Sequence, residues 1–161
     1  MRKIDFDLDG RRATSWGRDD HYCTSALINS PICLFYAGEP PHGDSYHELI
    51  IDSKTIRGFI WSGYLLWSPC GRYFTCDWLE GMGGYRDGAA WCFTQTLRGT
   101  IVVEPKHLRY RVLHYRTSIQ DGDGSDDNAE EALWKVLLDP SRGSWENFAP
   151  AAPRGASAAV T

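Results

Sequence analysis

The sequence predicts an α+β fold: a predominantly antiparallel β-sheet, laid out as hairpins in a meander, with one C-terminal helix. Aromatic residues are frequent, with 7 Trp, 8 Tyr and 6 Phe in 161 residues, and aromatics fit the pleated, half-buried surface of a strand. Between residues 31 and 116, short apolar runs alternate with Gly, Pro and Asp clusters, and none carries the 3.6-residue period of an amphipathic helix. That period occurs once, after residue 127.

Residues 3–9 alternate Ile4, Phe6 and Leu8 with Lys3, Asp5, Asp7 and Asp9, a period-two strand entering an Asp9-Gly10 turn and returning through 11–16 as a hairpin. A polar stretch from Gly17 to His21 leads to the continuous apolar run 31–36, bounded by Pro31 and Gly38, which reads as a buried strand. Glu39-Pro40-Pro41-His42-Gly43-Asp44 forms a loop, since two prolines remove backbone donors and Gly and Asp favour turns. Strands follow at 46–52 and 56–67. The second sets Phe59, Trp61, Leu65 and Trp67 against Ile60, Tyr64 and Leu66, so both faces are apolar and the strand should be central and covered on both sides. Ser68-Pro69-Cys70-Gly71 turns the chain, and 73–78 returns antiparallel. The run from Trp67 to Phe74 is similar to the inner hairpin of a β-propeller blade, but no second copy follows at blade spacing.

The glycine-rich run Glu80-Gly81-Met82-Gly83-Gly84-Tyr85-Arg86-Asp87-Gly88 is expected to be a flexible hairpin loop, because a phosphate cradle would need a following helix or a Gly-Lys-Ser/Thr ending. Strands at 91–97, 100–103 and 108–115 complete the sheet. In the last, Leu108, Tyr110 and Val112 share one face while Arg109 and Arg111 take the other, which should see solvent or an acidic partner. The helix begins near Asp127, where Asp127 with Glu130 or Asn128 with Glu131 forms a capping box. Glu131 and Lys135 make an i,i+4 pair, Leu133, Val136 and Leu137 form a stripe with Ala129, and Asp139-Pro140 ends the helix. One domain, 1–149, is expected, long enough to bury roughly two thirds of its unfolded surface. Residues 150–161, small and without periodicity, read as a flexible C-terminal tail.

The formal net charge of −4 is the wrong sign for a general nucleic-acid binder, which carries a Lys/Arg excess. Met1-Arg2-Lys3 is followed at once by Asp5, Asp7 and Asp9, without the apolar run of a signal peptide. No segment approaches the ~20 apolar residues that span a bilayer. The five cysteines (Cys23, Cys33, Cys70, Cys76 and Cys92) are odd in number and form no paired zinc spacing. A cytoplasmic protein with reduced thiols is expected, with no nucleic-acid or membrane partner, and with Cys33, Cys76 and Cys92 as small buried hydrophobes.

Asp7-Leu8-Asp9-Gly10 resembles the nucleophile loop of haloacid-dehalogenase-type phosphatases, and Gly122-Asp123-Gly124-Ser125-Asp126-Asp127 resembles their late acidic loop. The resemblance implies Asp7 as nucleophile and Asp9 as acid/base beside a magnesium ion completed by Asp123 and Asp127. Arg11 stands where that family usually has Thr or Val, and Asp5 charges a strand that should be apolar. The implied fold also needs alternating strands and helices. The hairpin explains the same letters, so this phosphatase is the alternative, together with a small-molecule-binding β-barrel whose cavity an aromatic lining would suit. Asp5 to Gly10 also matches the first half of an EF-hand loop, but the closing Glu falls on Trp16. His21, His42, His47, His107 and His114 are dispersed; His47 and His114 lie in strands and could meet, and His21 with Cys23 reads as accidental proximity. No catalytic residue, metal ligand or cofactor is expected.

Small acidic chains of this overall character resemble bacterial immunity proteins of the contact-dependent-inhibition or type VI secretion kind. The resemblance implies a partner rather than a substrate: a cognate toxin domain, for example a basic nuclease, bound and neutralised in the cytoplasm. The acidic run Asp121, Asp123, Asp126, Asp127, Glu130 and Glu131 is dense enough to steer such a partner and is the expected contact surface. Tyr85 and Trp145 are candidate aromatic anchors.

Overall fold

The structure is a computed structural model of the chain, describing residues 1–7, 9–14, 17–24, 29–39, 44–95, 98–113 and 127–154. Fourteen strands and one α-helix occur among them: β1 (Arg2–Lys3), β2 (Arg12–Thr14), β3 (His21–Cys23), β4 (Ile32–Gly38), β5 (Tyr46–Ile51), β6 (Lys54–Thr55), β7 (Phe59–Trp67), β8 (Phe74–Leu79), β9 (Met82–Asp87), β10 (Ala90–Gln95), β11 (Arg98–Glu104), β12 (Arg109–Leu113), α1 (Asp127–Leu138), β13 (Glu146–Asn147) and β14 (Ala149–Pro150). The α+β class, mostly antiparallel sheet with a helix near the C-terminus, is as the sequence predicts.

Twelve strands share one sheet in the order β1-β3-β4-β5-β7-β8-β11-β12-β13, with β2 on β7 and β14 on β6, which also pairs with β5. Central β7 is buried along Leu65, Leu66 and Trp67, as its two-faced apolar pattern requires. Its register against β8 shifts between Trp61 and Leu66, a bulge of the kind that bends a sheet. The bend has a consequence. Because β6 and β7 are one stretch of chain interrupted at Gly58, and β13 and β14 are another, the pairings β7·β8, β8·β11, β11·β12, β12·β13 and β14·β6 close a ring. Gly58 (φ +77) is needed at the corner, since a Cβ there would lie 2.5 Å from the Leu79 carbonyl and 2.8 Å from the Trp78 indole nitrogen.

The strands' two faces carry two cores. Ile60, Leu65, Trp67, Phe74, Cys76, Trp78, Ile101, Val103, Tyr110 and Phe148 fill the inside of the ring. Trp78 donates to the Arg57 carbonyl at 2.8 Å, and Tyr110 donates to Glu146 at 2.8 Å while accepting from the Arg57 amide at 3.1 Å, so the buried polar tips are satisfied. On the opposite face, Leu66, Val102 and Leu113 are covered by Trp134 and Leu137 of α1. The helix is held at both ends. In its first turn Glu130 pairs with Arg11 and, at 3.2 Å, with Arg12 of β2. At its last turn Arg111 donates to the carbonyls of Leu137 and of Asp139, the latter at 2.9 Å, a cation where the helix dipole favours one.

Several expectations are corrected. The N-terminal strands do not pair with each other: β1 runs parallel to β3 and β2 antiparallel to β7, although the Asp7–Gly10 turn forms, with Asp7 and Gly10 amides donating to Arg12 and Asp7 carbonyls at 2.8 Å each. The glycine-rich run is a strand, β9, paired with β10 in a separate two-stranded sheet. It carries the unchanged register of β8 and β11 outward, so inherited pairing overrides the weak strand preference of glycine. The face of Arg109 and Arg111 sees solvent only at its Arg109 end, because α1 and Trp145 lie over Arg111, which is 1% exposed. The helix stripe is Leu133, Trp134, Leu137 and Leu138, with Ala129 and Val136 facing outward. Of the expected tail, residues 150–154 are docked: Pro150 pairs with Lys54, the Ala151 amide donates to the Ser53 carbonyl at 3.0 Å, and Arg154 lies over the Phe35 ring at 3.5 Å. The rest of it lies outside the described residues.

Candidate functional site

Two turns sit side by side at one end of the sheet, because β8 pairs with β11 through Phe74 and Val103. One is the β7–β8 turn, where the Gly71 amide donates to the Ser68 carbonyl at 2.9 Å and Gly71 takes φ +68. The other is the 3₁₀ turn Pro105–His107, which opens on Pro105 and closes through Leu108 in the left-handed region (φ 47). Between them lies Glu104, fully excluded from solvent. It stands directly opposite Arg109 in the β11–β12 ladder.

Three cationic or proton-donating groups converge on that carboxylate. Arg72, from the first turn, donates Nε to Oε1 at 2.6 Å, His107 from the second turn places Nδ1 at 2.9 Å from Oε1, and Arg109 donates Nε to Oε2. Burial alone would raise the glutamate's pKa; hydrogen bonds from Arg72, Arg109 and His107, together with the charge of Arg109, outweigh it and hold the carboxyl below its ordinary value. Aromatic rings then brace the arginines. Trp145 stacks on Tyr73 with centroids 6.0 Å apart, and Arg109 and Arg111 lie over the Trp145 ring at 4.6 and 5.2 Å. Arg72 lies over Tyr73 at 5.2 Å. Such cation–π contacts fix long side chains that would otherwise sample many rotamers.

Chemically, the corner is a pair of ordered guanidinium groups on a buried anionic pedestal. Each arginine spends its Nε–H on Glu104, and among the described residues its terminal nitrogens have no other acceptor. The side chains of Arg72 and His107 remain 53% and 55% exposed, and that of Arg109 34%. Nothing in the sequence marks this set as a motif, since Arg72 lies 32 residues from Glu104. The one legible fragment was Glu104 and Arg109 flanking a four-residue connection, the spacing of a cross-strand pair at the end of a hairpin.

The residues singled out from sequence are distributed differently. Asp121, Asp123 and Asp126 lie outside the described residues. Asp127 opens α1, Glu130 is drawn inward by Arg11 and Arg12 and is 11% exposed, and exposed Glu131 pairs with Lys135 at 3.0 Å. The structure therefore separates the neighbours Glu130 and Glu131. Asp7 and Asp9 serve their own turn, accepting the Arg11 amide at 3.3 and 3.0 Å. Among the described residues no three His, Cys, Asp or Glu side chains are placed to hold a metal ion, and no helix is long and apolar enough to cross a membrane. Trp145 belongs to the Glu104 corner; the Tyr85 side chain lies outside what is described.

A second cluster surrounds His47, which is fully buried on β5. The rings of His21 and Tyr36 each lie 5.9 Å from it; His114, which the sequence offered as a neighbour, lies outside the described residues. Nε2 of His47 donates to the Asp19 carbonyl at 3.0 Å. Burial lowers the pKa of His47, so the ring is neutral at pH 7 and serves the packing of β3, β4 and β5. Of the cysteines, Cys23 and Cys76 are fully buried, with the Cys23 thiol pushed up to about 12 and the Cys76 thiol well above its ordinary value by desolvation. Cys33 is half-buried and Cys70 exposed; the Cys92 side chain is not described.

The cleft between β12 and the 140–146 segment, about 440 Å³ and lined by Arg57, Val112, Leu113, Arg142, Gly143, Ser144 and Glu146, lacks the aromatic walls expected of a barrel that binds a ligand. Inside the ring, the aromatic side chains pack against one another. No family model, no curated protein and no solved structure matches the chain.

Proposed function

We propose that this protein is a non-catalytic immunity protein of the bacterial cytoplasm, which binds and neutralises a cognate toxin domain. The observation that carries the reading is the Glu104 corner. It offers Arg, Trp and Tyr together, the side chains that dominate binding hot spots, and it holds them in place before any partner arrives. Pre-ordering matters because immobilising each rotamer-rich side chain on binding costs roughly 0.5–1.5 kcal/mol. The acidic residues Asp121, Asp123, Asp126, Asp127 and Glu131 supply long-range attraction towards a basic toxin, while Glu130 is committed to holding α1.

Neutralisation is tested by co-expression with the toxin encoded beside this gene. Growth should be rescued by the wild-type chain, and purified toxin and chain should co-elute. Replacing Asp121, Asp123, Asp126 and Asp127 by Asn should slow association and weaken its salt dependence without unfolding the protein. Failure of the wild-type chain to rescue growth would sink the proposal.

A further inference from the structure

We infer that Arg72 and Arg109, ordered by Glu104 and backed by Tyr73 and Trp145, form a receptor for a carboxylate on an acidic segment of the partner protein. The inference deepens the proposed function and rests on it for the partner, though the receptor itself is measurable without one.

The argument starts from donors. A guanidinium has five N–H groups in a fixed fork; Glu104 takes the Nε–H of each arginine, and among the described residues the four terminal nitrogens meet no acceptor. Both arginines are anchored to one carboxylate group, Arg72 on Oε1 and Arg109 on Oε2, which holds the two guanidinium groups beside one another. Two guanidinium ends side by side match the paired oxygens of a carboxylate or a phosphate.

Charge separates those two ligands. The pair carries two positive charges against the single negative charge of Glu104, leaving an excess that one monoanion cancels. A dianionic phosphate would face the buried carboxylate directly beneath it. The flanking rings favour a protein ligand further, since the methylene groups of a Glu or Asp side chain can rest against Trp145 and Tyr73 while the carboxylate meets the arginines. Glu104 is a positioning residue here: it turns the forks outward without touching the ligand.

The experiment uses full-length protein labelled with ¹⁵N and observes the arginine Nε–Hε resonances while N-acetyl-hexaglutamate is titrated at low salt. Saturable shifts of Arg72 and Arg109 are expected, and hexalysine should leave both unmoved. Arg72→Gln removes one of the three partners of the buried Glu104 carboxylate, so its melting temperature should fall by several degrees, and the titration is run well below that temperature, where the variant remains folded. Its peptide affinity should fall about tenfold or more, as expected for a lost charge-assisted hydrogen bond. Unmoved resonances, wild-type affinity in the variant, or tighter binding of inorganic phosphate than of the peptide would each overturn the carboxylate receptor. Growth rescue without peptide binding discards this inference and keeps neutralisation, whereas peptide binding without rescue keeps the receptor and discards neutralisation.

Discussion

Replacing Glu104 by Gln tests the pedestal on which the proposed contact rests. The side chain keeps its shape, but the charge disappears and one oxygen becomes an amide that points its own hydrogens at an arginine. The carboxylate is fully buried and takes part in three hydrogen bonds with Arg72, His107 and Arg109. Hydrogen bonds to charged groups are worth roughly 1.5–3 kcal/mol each when lost singly. Here the cations are partly exposed and recover hydration, so the three do not sum, and a net loss of about 2–3 kcal/mol is expected. For a chain of this size that lowers the melting temperature by roughly 4–12 °C. The pH dependence supplies an internal control. Because the folded carboxyl lies below the ordinary glutamate value of 4.5, its contribution is complete above that value and fades as pH falls through the folded pKa. Wild type and variant should therefore differ most near neutrality and converge in acid, as followed by thermal melts monitored by circular dichroism. Equal melting at pH 7, or a gap that widens in acid, would refute the account of Glu104 as an ionised, paired group.

His47 is neutral in the fold because burial lowers its pKa, among His21, Tyr36, the Asp20 carboxylate and the Asp19 carbonyl. The unfolded ring protonates near the ordinary value of 6.5, so stability should fall as pH drops below that value, and His47→Leu should flatten the slope in pH-dependent melts. Leu137→Ala, at a position 3% exposed on the inner face of α1, should cost about 2–4 kcal/mol in urea titrations; a change below ~1 kcal/mol would mean that the helix is not part of the core. Ellman's reagent should react first with Cys70, which is exposed and whose thiol is held below its ordinary pKa chiefly by the Ser68 hydroxyl 3.4 Å away. Ser68→Ala should slow that reaction, and full denaturation without reductant should release all five thiols; a count of three or fewer would show disulfides.

Much of the sheet was legible because its residues obey local rules. β4, β5 and β8 show up as apolar runs closed by Pro, Gly or Asp, and the Ser68-Pro69-Cys70-Gly71 turn forms where its residues demand one. The misreadings share one physical cause, that pairing between distant segments decides what a weak local preference becomes. Gly83 and Gly84 read as loop, yet β9 inherits its register from β8 and β11. Lys3 to Asp9 reads as one arm of a hairpin, yet β1 finds a parallel neighbour in β3. Pro150 marks a tail by composition, yet β14 completes the ring by pairing with β6.

The candidate site shows the same division within a single strand. Alternation along β12 correctly puts Arg109 and Arg111 on one face, two residues and one pleat apart. What each arginine does then depends on its cross-strand neighbour and on what covers it. Arg111 stands opposite Val102, beneath the end of α1, and its only acceptors among the described residues are the helix's carbonyls, so it becomes a structural cap. Arg109 stands opposite Glu104 at the sheet's end, beyond the cover of the helix, and shares that carboxylate with Arg72 from the adjacent turn. A sequence can announce that two arginines share a face. Only the placement of α1, fixed by Glu130 at one end and Arg111 at the other, decides which of them is buried and which is left partly exposed.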